Sequence, residues 1–472
     1  TTEIYTLSLH DALPILPNPL YRSLTSRGNG ISMLDIKLIR ESPDMVRQNL
    51  LRRNDETKMQ LLGEVILKDQ QWRQSLEKAN ALKAERNSLS KKIAEAKKSG
   101  GDASALLARS AQIPKDIAAL DAETQELKAR VDEILMRLPN LLHESVPVGA
   151  DDTANQVVRT WGKPRQVDFE LKSHGELAEA LGLADFDRAT RISGAGFNYL
   201  KGDLALLDLA LINYAVNFLA ERNYTLIEPP FMMRRSAYEG VTDLGDFEQV
   251  MYKIEDEDLY LIATSEHPMA AMFMNEIIDE DLLPMRFAGL STCFRREIGA
   301  HGVDTKGLFR MHQFNKVEQF IFCNPEDSWA MHEELQTNSE LLFQGLGLPY
   351  RVVNVCTGDI GSLAAKKYDI EVWFPRQNKF GEVTSCSNDT DYQARRLNIR
   401  CGKHGSDKKQ VPHTLNNTAI ATSRALVAII ENYQNADGII SIPDVLRPYM
   451  GGRKAIDRKS TRLNSSHGKL YR

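Results

Sequence analysis

The densest chemistry in this 472-residue chain lies in one stretch. It runs Cys293-Phe294-Arg295-Arg296-Glu297-Ile298-Gly299, through a loop carrying Gly302, Asp304 and Gly307, to Phe309-Arg310-Met311-His312-Gln313-Phe314 and Lys316-Val317-Glu318. Strand, glycine-bearing loop and return strand spell a β-hairpin. Alternation along a strand puts Arg295 and Glu297 on one face. In the return strand Arg310, His312 and Phe314 share a face, and Glu318 follows further along. Guanidinium groups suit phosphate oxygens, a carboxylate suits a base amino group and a ring can stack on the base, so the set fits a nucleoside triphosphate. Standing alone, the hairpin would serve equally as a surface salt-bridge cluster. Three other polar runs join it: Thr264-Ser265-Glu266, Glu382-Val383-Thr384-Ser385, and Asn416-Asn417-Thr418 followed by Arg424. All sit at strand ends or helix starts. His312 reads more readily as a packed strand residue than as an acid–base catalyst. No GxGxxG or GxxxxGK[ST] occurs, so neither a Rossmann dinucleotide site nor a P-loop is expected.

The elements that must position these groups follow from patterning. From about Asp168 the chain reads as mixed α and β. Leu204 to Leu219 is an apolar-rich helix, and Tyr224 to Ile227 is a strand stopped by Pro229-Pro230. Strand-like runs recur at 260–263, 286–290, 317–322, 351–355, 368–374 and 382–385. They lack the regular intervening helices of βαβ repeats, which predicts an α+β fold with a mainly antiparallel sheet. The five cysteines, Cys293, Cys323, Cys356, Cys386 and Cys401, are too far apart for a CxxC zinc site or a dense disulfide framework. A reduced, cytoplasmic protein is expected.

Ahead of this body the sequence predicts a helical arm. Ser42-Pro43-Asp44 opens a short helix around Met45, Val46 and Leu50. Trp72, Ser75, Ala79, Leu82, Arg86, Leu89, Ile93 and Ala96 then step by threes and fours. After Gly100-Gly101 the step resumes from Ile113 through Ile117, Leu120, Thr124, Leu127, Val131 and Ile134 to Leu138. Two heptad stripes about a glycine breaker predict an antiparallel coiled-coil hairpin of helices about 30 residues, or ~45 Å, long. Between Gln71 and Gly100 eight basic residues face three acidic ones, a net of +5 on a chain whose overall charge is −5. A basic stripe on a rigid projection suits a nucleic-acid backbone, although an arm of this kind can also brace a dimer. Pro139 ends the second helix, and Val146-Pro147-Val148-Gly149 reads as a linker.

Taken together, the arm, TSE, FRREIG, RMHQF, EVTSCSN and LNNT resemble the seryl-tRNA synthetases among the class II aminoacyl-tRNA synthetases, from about Met33 to Gly452. Tyr224 to Met232, with Pro230, is similar to the first class motif; FRREIG with RMHQF to the second; Thr414 to Met450 to the third. The resemblance implies ATP-dependent activation of serine and its transfer to tRNA(Ser), and also to tRNA(Sec), by a homodimer with no membrane association. Thr264, Ser265 and Glu266 would bind serine, and Glu318 with Thr418 would surround its side chain, supported by Asn416. Arg295 would bridge the serine carboxylate and the α-phosphate. Glu297 would hold the adenine amino group and Phe314 would stack on the ring. Arg310 and Arg424 would hold the distal phosphates, while Arg296, Met311, His312, Gln313, Val383 and Thr384 complete the ATP site. Glu382 and Ser385 would help bind Mg²⁺. Arg295, Glu297 and Arg424 are the catalytic candidates. At Arg296 the family also commonly carries a small residue, so that side chain is expected to point away. The arm would grip the long variable arm of the tRNA. The rival readings are an inactive, synthetase-like coiled-coil RNA-binding protein and a threonyl, prolyl or carrier-protein class II relative.

The implied organisation is an arm over 33–145 and a catalytic domain over 146–456. Both flanks read as foreign. Thr6 to Ile15 and Asp457 to His467 can each be written in codons as a sequencing-adapter string (ALPI as GCTCTTCCGATC), so residues 1–32 and 457–472 are expected to be non-native. The apolar Ala12-Leu13-Pro14-Ile15-Leu16 lacks a basic n-region, which argues against a signal peptide. No apolar run is expected to reach the roughly 20 residues that span a bilayer.

Overall fold

A computed structural model describes residues 35–243, 248–297, 307–403 and 405–457. The flanks 1–32 and 458–472, Ile298-Gly299 and the loop residues Gly302 and Asp304 lie outside the described residues.

Asp35 opens helix α1 (Ile36–Glu41) by accepting from the backbone N–H of Lys37, and α2 (Pro43–Leu51) starts after Ser42 with proline in its first turn. The arm is α3 (Glu56–Lys98) and α4 (Ser104–Leu135), antiparallel about a turn in which Gly100 takes a left-handed φ of 70°. At 43 residues α3 exceeds the expected length, because its apolar stripe changes partners. Leu61, Leu62 and Val65 join Ile39, Val46 and Leu50 of α1 and α2, together with Val131, Ile134 and Leu138, in a cluster at the root. Buried Asp69, paired with Arg40 at 2.5 Å and Arg73 at 3.0 Å, interrupts the stripe. Beyond it only Leu89, Ile113 and Ile117 form a buried apolar cluster, with Leu82 and Leu106 packed beside it. Cross-helix pairs assist: Lys83 with Asp121 at 2.7 Å, Arg109 with Glu85 at 2.8 Å, and Ser75 Oγ donating to Glu123 at 3.1 Å. Arg86, Lys91, Lys92, Lys97 and Lys98 are exposed on α3.

The body is built on an eight-stranded sheet: β1 (Gln156–Trp161), β2 (Thr225–Ile227), β3 (Met285–Phe294), β4 (Gln313–Cys323), β5 (Tyr350–Asn354), β6 (Lys366–Phe374), β7 (Lys379–Thr390) and β8 (His413–Ala421). Its order is β1-β5-β6-β7-β8-β4-β3-β2, antiparallel throughout except for the β2–β3 pair. One face is covered by α5 (Gly202–Ala220), α7 (Ser328–Gly345) and α9 (Thr422–Tyr433); α6 (Glu266–Ala270) and α8 (Tyr392–Arg396) lie near the other. Period-two alternation sorts β4 between the faces: Val317, Ile321 and Cys323 enter the main core, while Phe320 and Phe322 enter a second one with Tyr238, Tyr260 and Leu397.

One expectation needs correction. By length and composition α5 is apolar enough to cross a membrane. Its Leu204, Leu207, Leu211, Ala215 and Leu219 lie in the main core, and its Asp208 accepts from Asn315 at 2.9 Å, the pattern of a core helix.

Candidate active site

A cavity of about 310 Å³ opens on the face of the sheet opposite α7, over the middle of β4, β7 and β8. Strand register builds its floor. Glu318 and Thr418 are direct cross-strand partners on β4 and β8, and the Thr418 hydroxyl donates to the Glu318 carboxylate at 3.2 Å. On β4 the alternation Phe314, Lys316, Glu318 aims all three side chains into the cavity, and Lys316 Nζ pairs with Glu318. On β7 Ser385, Ser387 and Asp389 line it, while Cys386 and Asn388 turn to α7.

Three β-bulges shape the site. In β7 the ladder to β6 skips Val383 and the ladder to β8 skips Asp389, and in β8 the ladder to β4 skips Ala419. An extra residue re-aims its side chain and frees its backbone groups from the ladder. Asp389 Oδ2 accepts from the Asn416 amide at 2.8 Å, beside the floor.

The floor is acidic. Glu266, at the start of α6, accepts from Gln393 of α8 at 2.8 Å. Burial, and then the neighbouring Glu318, push its carboxyl up to about 7; Lys316, Gln393 and Arg295 oppose the shift. Burial and Glu266 likewise push Asp389 well above the ordinary aspartate range. The chemistry of this floor suits a small ligand carrying a positive charge and a hydroxyl.

The rim is cationic. Arg295 leaves the end of β3 with its backbone N–H on His312 O (2.9 Å), its Nε on Ala263 O (3.3 Å) and its guanidinium 5.6 Å from the centre of the Phe314 ring. Arg310 faces Glu297 at 3.8 Å. Across the mouth Arg424 of α9 donates to Glu382 O at 2.9 Å, pairs with the Glu382 carboxylate at 3.2 Å and lies over Phe309. Two cationic clusters bracket a groove with aromatic rings at hand, an arrangement for a polyphosphate joined to a base.

Thr264, Glu266, Arg295, Glu297, Arg310, Met311, Phe314, Glu318, Glu382, Val383, Thr384, Ser385, Asn416, Thr418 and Arg424 all line the cavity. Four candidates do not. The hydroxyl of fully buried Ser265 donates to Gly289 O at 3.2 Å, which ties α6 to β3. Arg296 is exposed, with its backbone N–H on Val250 O. The His312 ring stacks on Phe197 and contacts the Tyr252 hydroxyl. Gln313 borders a second, smaller cavity beside Phe197, Asp208 and Asn315. The sequence reading treated Arg310 to Phe314 as one strand. The strand begins at Gln313, and His312 N–H pairs with Gly196 O, so alternation does not govern residues 310–312. Lys316, Ser387 and Asp389 were missed as cavity residues; for Lys316 and Ser387 the period-two spacing from Glu318 and Ser385 was the available signal.

Comparison with known proteins supplies independent findings. Residues 33–142 match the family model for the seryl-tRNA synthetase N-terminal domain, and residues 251–433 match that for the class II tRNA synthetase core domain (G, H, P, S and T). The chain is 58% identical over 421 residues to a serine–tRNA ligase of Methanocella arvoryzae, covering 89% of this chain and 99% of that protein. A crystal structure of seryl-tRNA synthetase from Pyrococcus horikoshii complexed with ATP superposes with a TM-score of 0.87 at 49% identity, covering 90% of this chain and 99% of that one. The cytoplasmic serine–tRNA ligase of Naegleria fowleri with AMP gives 0.81 at 40% identity, over 90% and 99%.

Proposed function

The chain belongs to the seryl-tRNA synthetases of class II, serine–tRNA ligases, and on that premise we propose how this cavity activates serine. The observation that carries the reading is the convergence of Arg295, Glu318, Glu382 and Arg424, from separate strands and a helix, on one cavity.

Serine lies on the floor, its ammonium toward Glu266 and its hydroxyl between Glu318 and Thr418. Thr264 lines the same end and Asn416 supports it by holding Asp389. ATP lies along the rim, its base beside Phe314 and Glu297, its phosphates between Arg295, Arg310 and Arg424. A serine carboxylate is ionised at neutral pH and needs no general base to attack the α-phosphate. In-line placement and cancellation of negative charge are what the site must provide. Arg295, between floor and rim, does both by holding the attacking carboxylate and the α-phosphate together. Pyrophosphate leaves, and a ribose hydroxyl of tRNA then attacks the carbonyl carbon of the mixed anhydride.

Glu382 and Ser385 offer hard oxygen donors, and among the described residues no cluster of three or more His, Cys, Asp or Glu could hold a metal on its own. One carboxylate and a hydroxyl fit Mg²⁺ carried in largely by phosphate oxygens. When bound, the ion would neutralise phosphate charge. Glu382 pairs with Arg424 at 3.2 Å, so the residues that would hold the ion and the distal phosphates stand side by side at the mouth.

The exposed lysines of α3 would contact the phosphate backbone of tRNA(Ser). Recognition through a long variable arm would also admit tRNA(Sec). We place the protein in the cytoplasm as a homodimer, for which the outer strand β1, exposed along its length and carrying Val157, Val158 and Trp161, supplies an apolar edge.

Serine-dependent ATP–pyrophosphate exchange, with alanine and threonine as competitors, tests the assignment. Alanine lacks the hydroxyl and strands buried polar groups, whereas threonine must be excluded by shape. Thr418→Val should therefore narrow the serine-to-alanine preference by about tenfold or more. An unchanged ratio would remove Thr418 from the pocket.

Proton linkage gives a second test. Serine's ammonium requires ionised Glu266, whose carboxyl sits at about 7 before serine binds. The KM for serine should rise as pH falls below about 7, approaching tenfold per unit, and level off above it. Because this acid is raised relative to the unfolded chain, its stability contribution is present at low pH and is lost as pH rises through about 7. Serine should accordingly protect the fold most above that pH. Glu266→Gln should flatten the KM profile, and a profile that keeps its shape would exclude Glu266 as the titrating group.

A further inference from the structure

The root of the arm is hydrogen-bonded to the walls of the cavity. Asn140, past the end of α4, is 2% exposed. Its backbone N–H donates to Ser362 O at 2.8 Å. Its side-chain amide donates to Leu363 O at 2.8 Å, Asp389 O at 2.7 Å and the Thr390 hydroxyl at 3.0 Å. From the other side of the root, between α2 and α3, Arg53 donates to Gly361 O at 2.5 Å and Asn140 O at 2.9 Å. Gly361, Ser362, Leu363 and Asp389 all line the cavity. The Asp389 carbonyl is free to accept because Asp389 is a bulged residue of β7. A single buried amide thus clamps two segments of the cavity wall to each other and to the arm. A second route runs through α8: Arg396 donates to Met136 O at the end of α4, and Gln393 one turn away holds Glu266.

We propose that Asn140 is a positioning residue for the amino-acid pocket, acting through Asp389 and the 361–363 segment, so that the arm's attachment and the serine floor are one hydrogen-bonded unit. The inference rests on assigning the floor to serine. Asn140 touches none of the reacting groups. Its effect belongs to where Asp389 and, through Asn416, the Thr418 strand are held.

The test is tRNA-free ATP–pyrophosphate exchange by the full chain, with KM measured separately for serine and ATP. Asn140→Ala should raise the serine KM by about tenfold or more while the ATP KM stays put, since small misplacements of binding groups are costly. Asn140→Asp, similar in shape but turning an oxygen toward carbonyl oxygens, should be at least as severe. Arg53→Lys, which keeps one donor, should give a smaller rise in the same parameter, and it serves as the readout should the Asn140 variants fail to fold. A merely structural role would lower melting temperature and active fraction without separating the two KM values, and that result would overturn the proposal. Thr418→Val run alongside separates the two levels of the argument. If it shifts the serine-to-alanine ratio while the Asn140 and Arg53 variants leave the serine KM unchanged, the positioning role falls and the pocket stands. If none of the variants moves serine binding, both fall.

Discussion

Arg295→Ala should abolish nearly all serine-dependent ATP–pyrophosphate exchange, a loss of at least ~3 kcal/mol in transition-state stabilisation on the scale of a missing oxyanion donor. The expectation comes from placement. Arg295 stands where β3 ends, oriented by its own backbone bond to His312 and its Nε contact with Ala263 O, and it borders both the acidic floor and the aromatic rim. In the reaction assigned to this cavity it is the group that meets both reactants, so its removal leaves two anions facing each other without a shared counter-charge. Arg295→Lys should recover little, because a point charge on a flexible stem cannot present the planar fork that spans two oxyanions. Near-normal exchange by the alanine variant would mean that the activating cation lies elsewhere.

Excising residues 82–120 and closing the gap with a short glycine-containing turn should abolish charging of tRNA while leaving exchange close to that of the intact chain. The cut removes Lys83, Arg86, Lys91, Lys92, Lys97 and Lys98 together with the small distal cluster of Leu89, Ile113 and Ile117. It spares the root, where Leu61, Leu62, Val65, Val131 and Ile134 pack against α1 and α2, and it spares Arg53 and Asn140. Charging by the intact chain should weaken steeply with salt, as release of counterions from phosphates demands. Retained charging by the shortened chain would reduce the arm to a brace.

Much of the site was legible because it rests on strands. On β4, spacing by two carries Phe314 to Glu318 onto one wall, and the same rule reaches Lys316 between them. It failed just upstream, at His312, where the backbone pairs with Gly196 and Arg295 and the ring is committed to Phe197 and Tyr252. Asp389 was hidden for a different reason. A bulge is a property of two paired strands, and nothing in Ser387-Asn388-Asp389-Thr390 alone announces that β8 will skip one residue. The arm shows the same divide. Its heptads and Gly-Gly turn were readable, yet α3 begins at Glu56, because Leu61 and Val65 carry the same heptad phase back past Asp69 to the root, where they pack against α1 and α2.

With 43 residues, α3 is a rod ~64 Å long. Geometry then turns a tilt of about one degree at its base into a displacement of about 1 Å at its far end. The side chains that anchor that base to the body include Arg52, Arg53, Asn140 and Arg396, with the Lys58–Asp243 and Arg395–Asp35 pairs. On the proposed assignment of this arm to tRNA, its aim is therefore set at that base, a rod's length from the exposed lysines near its tip.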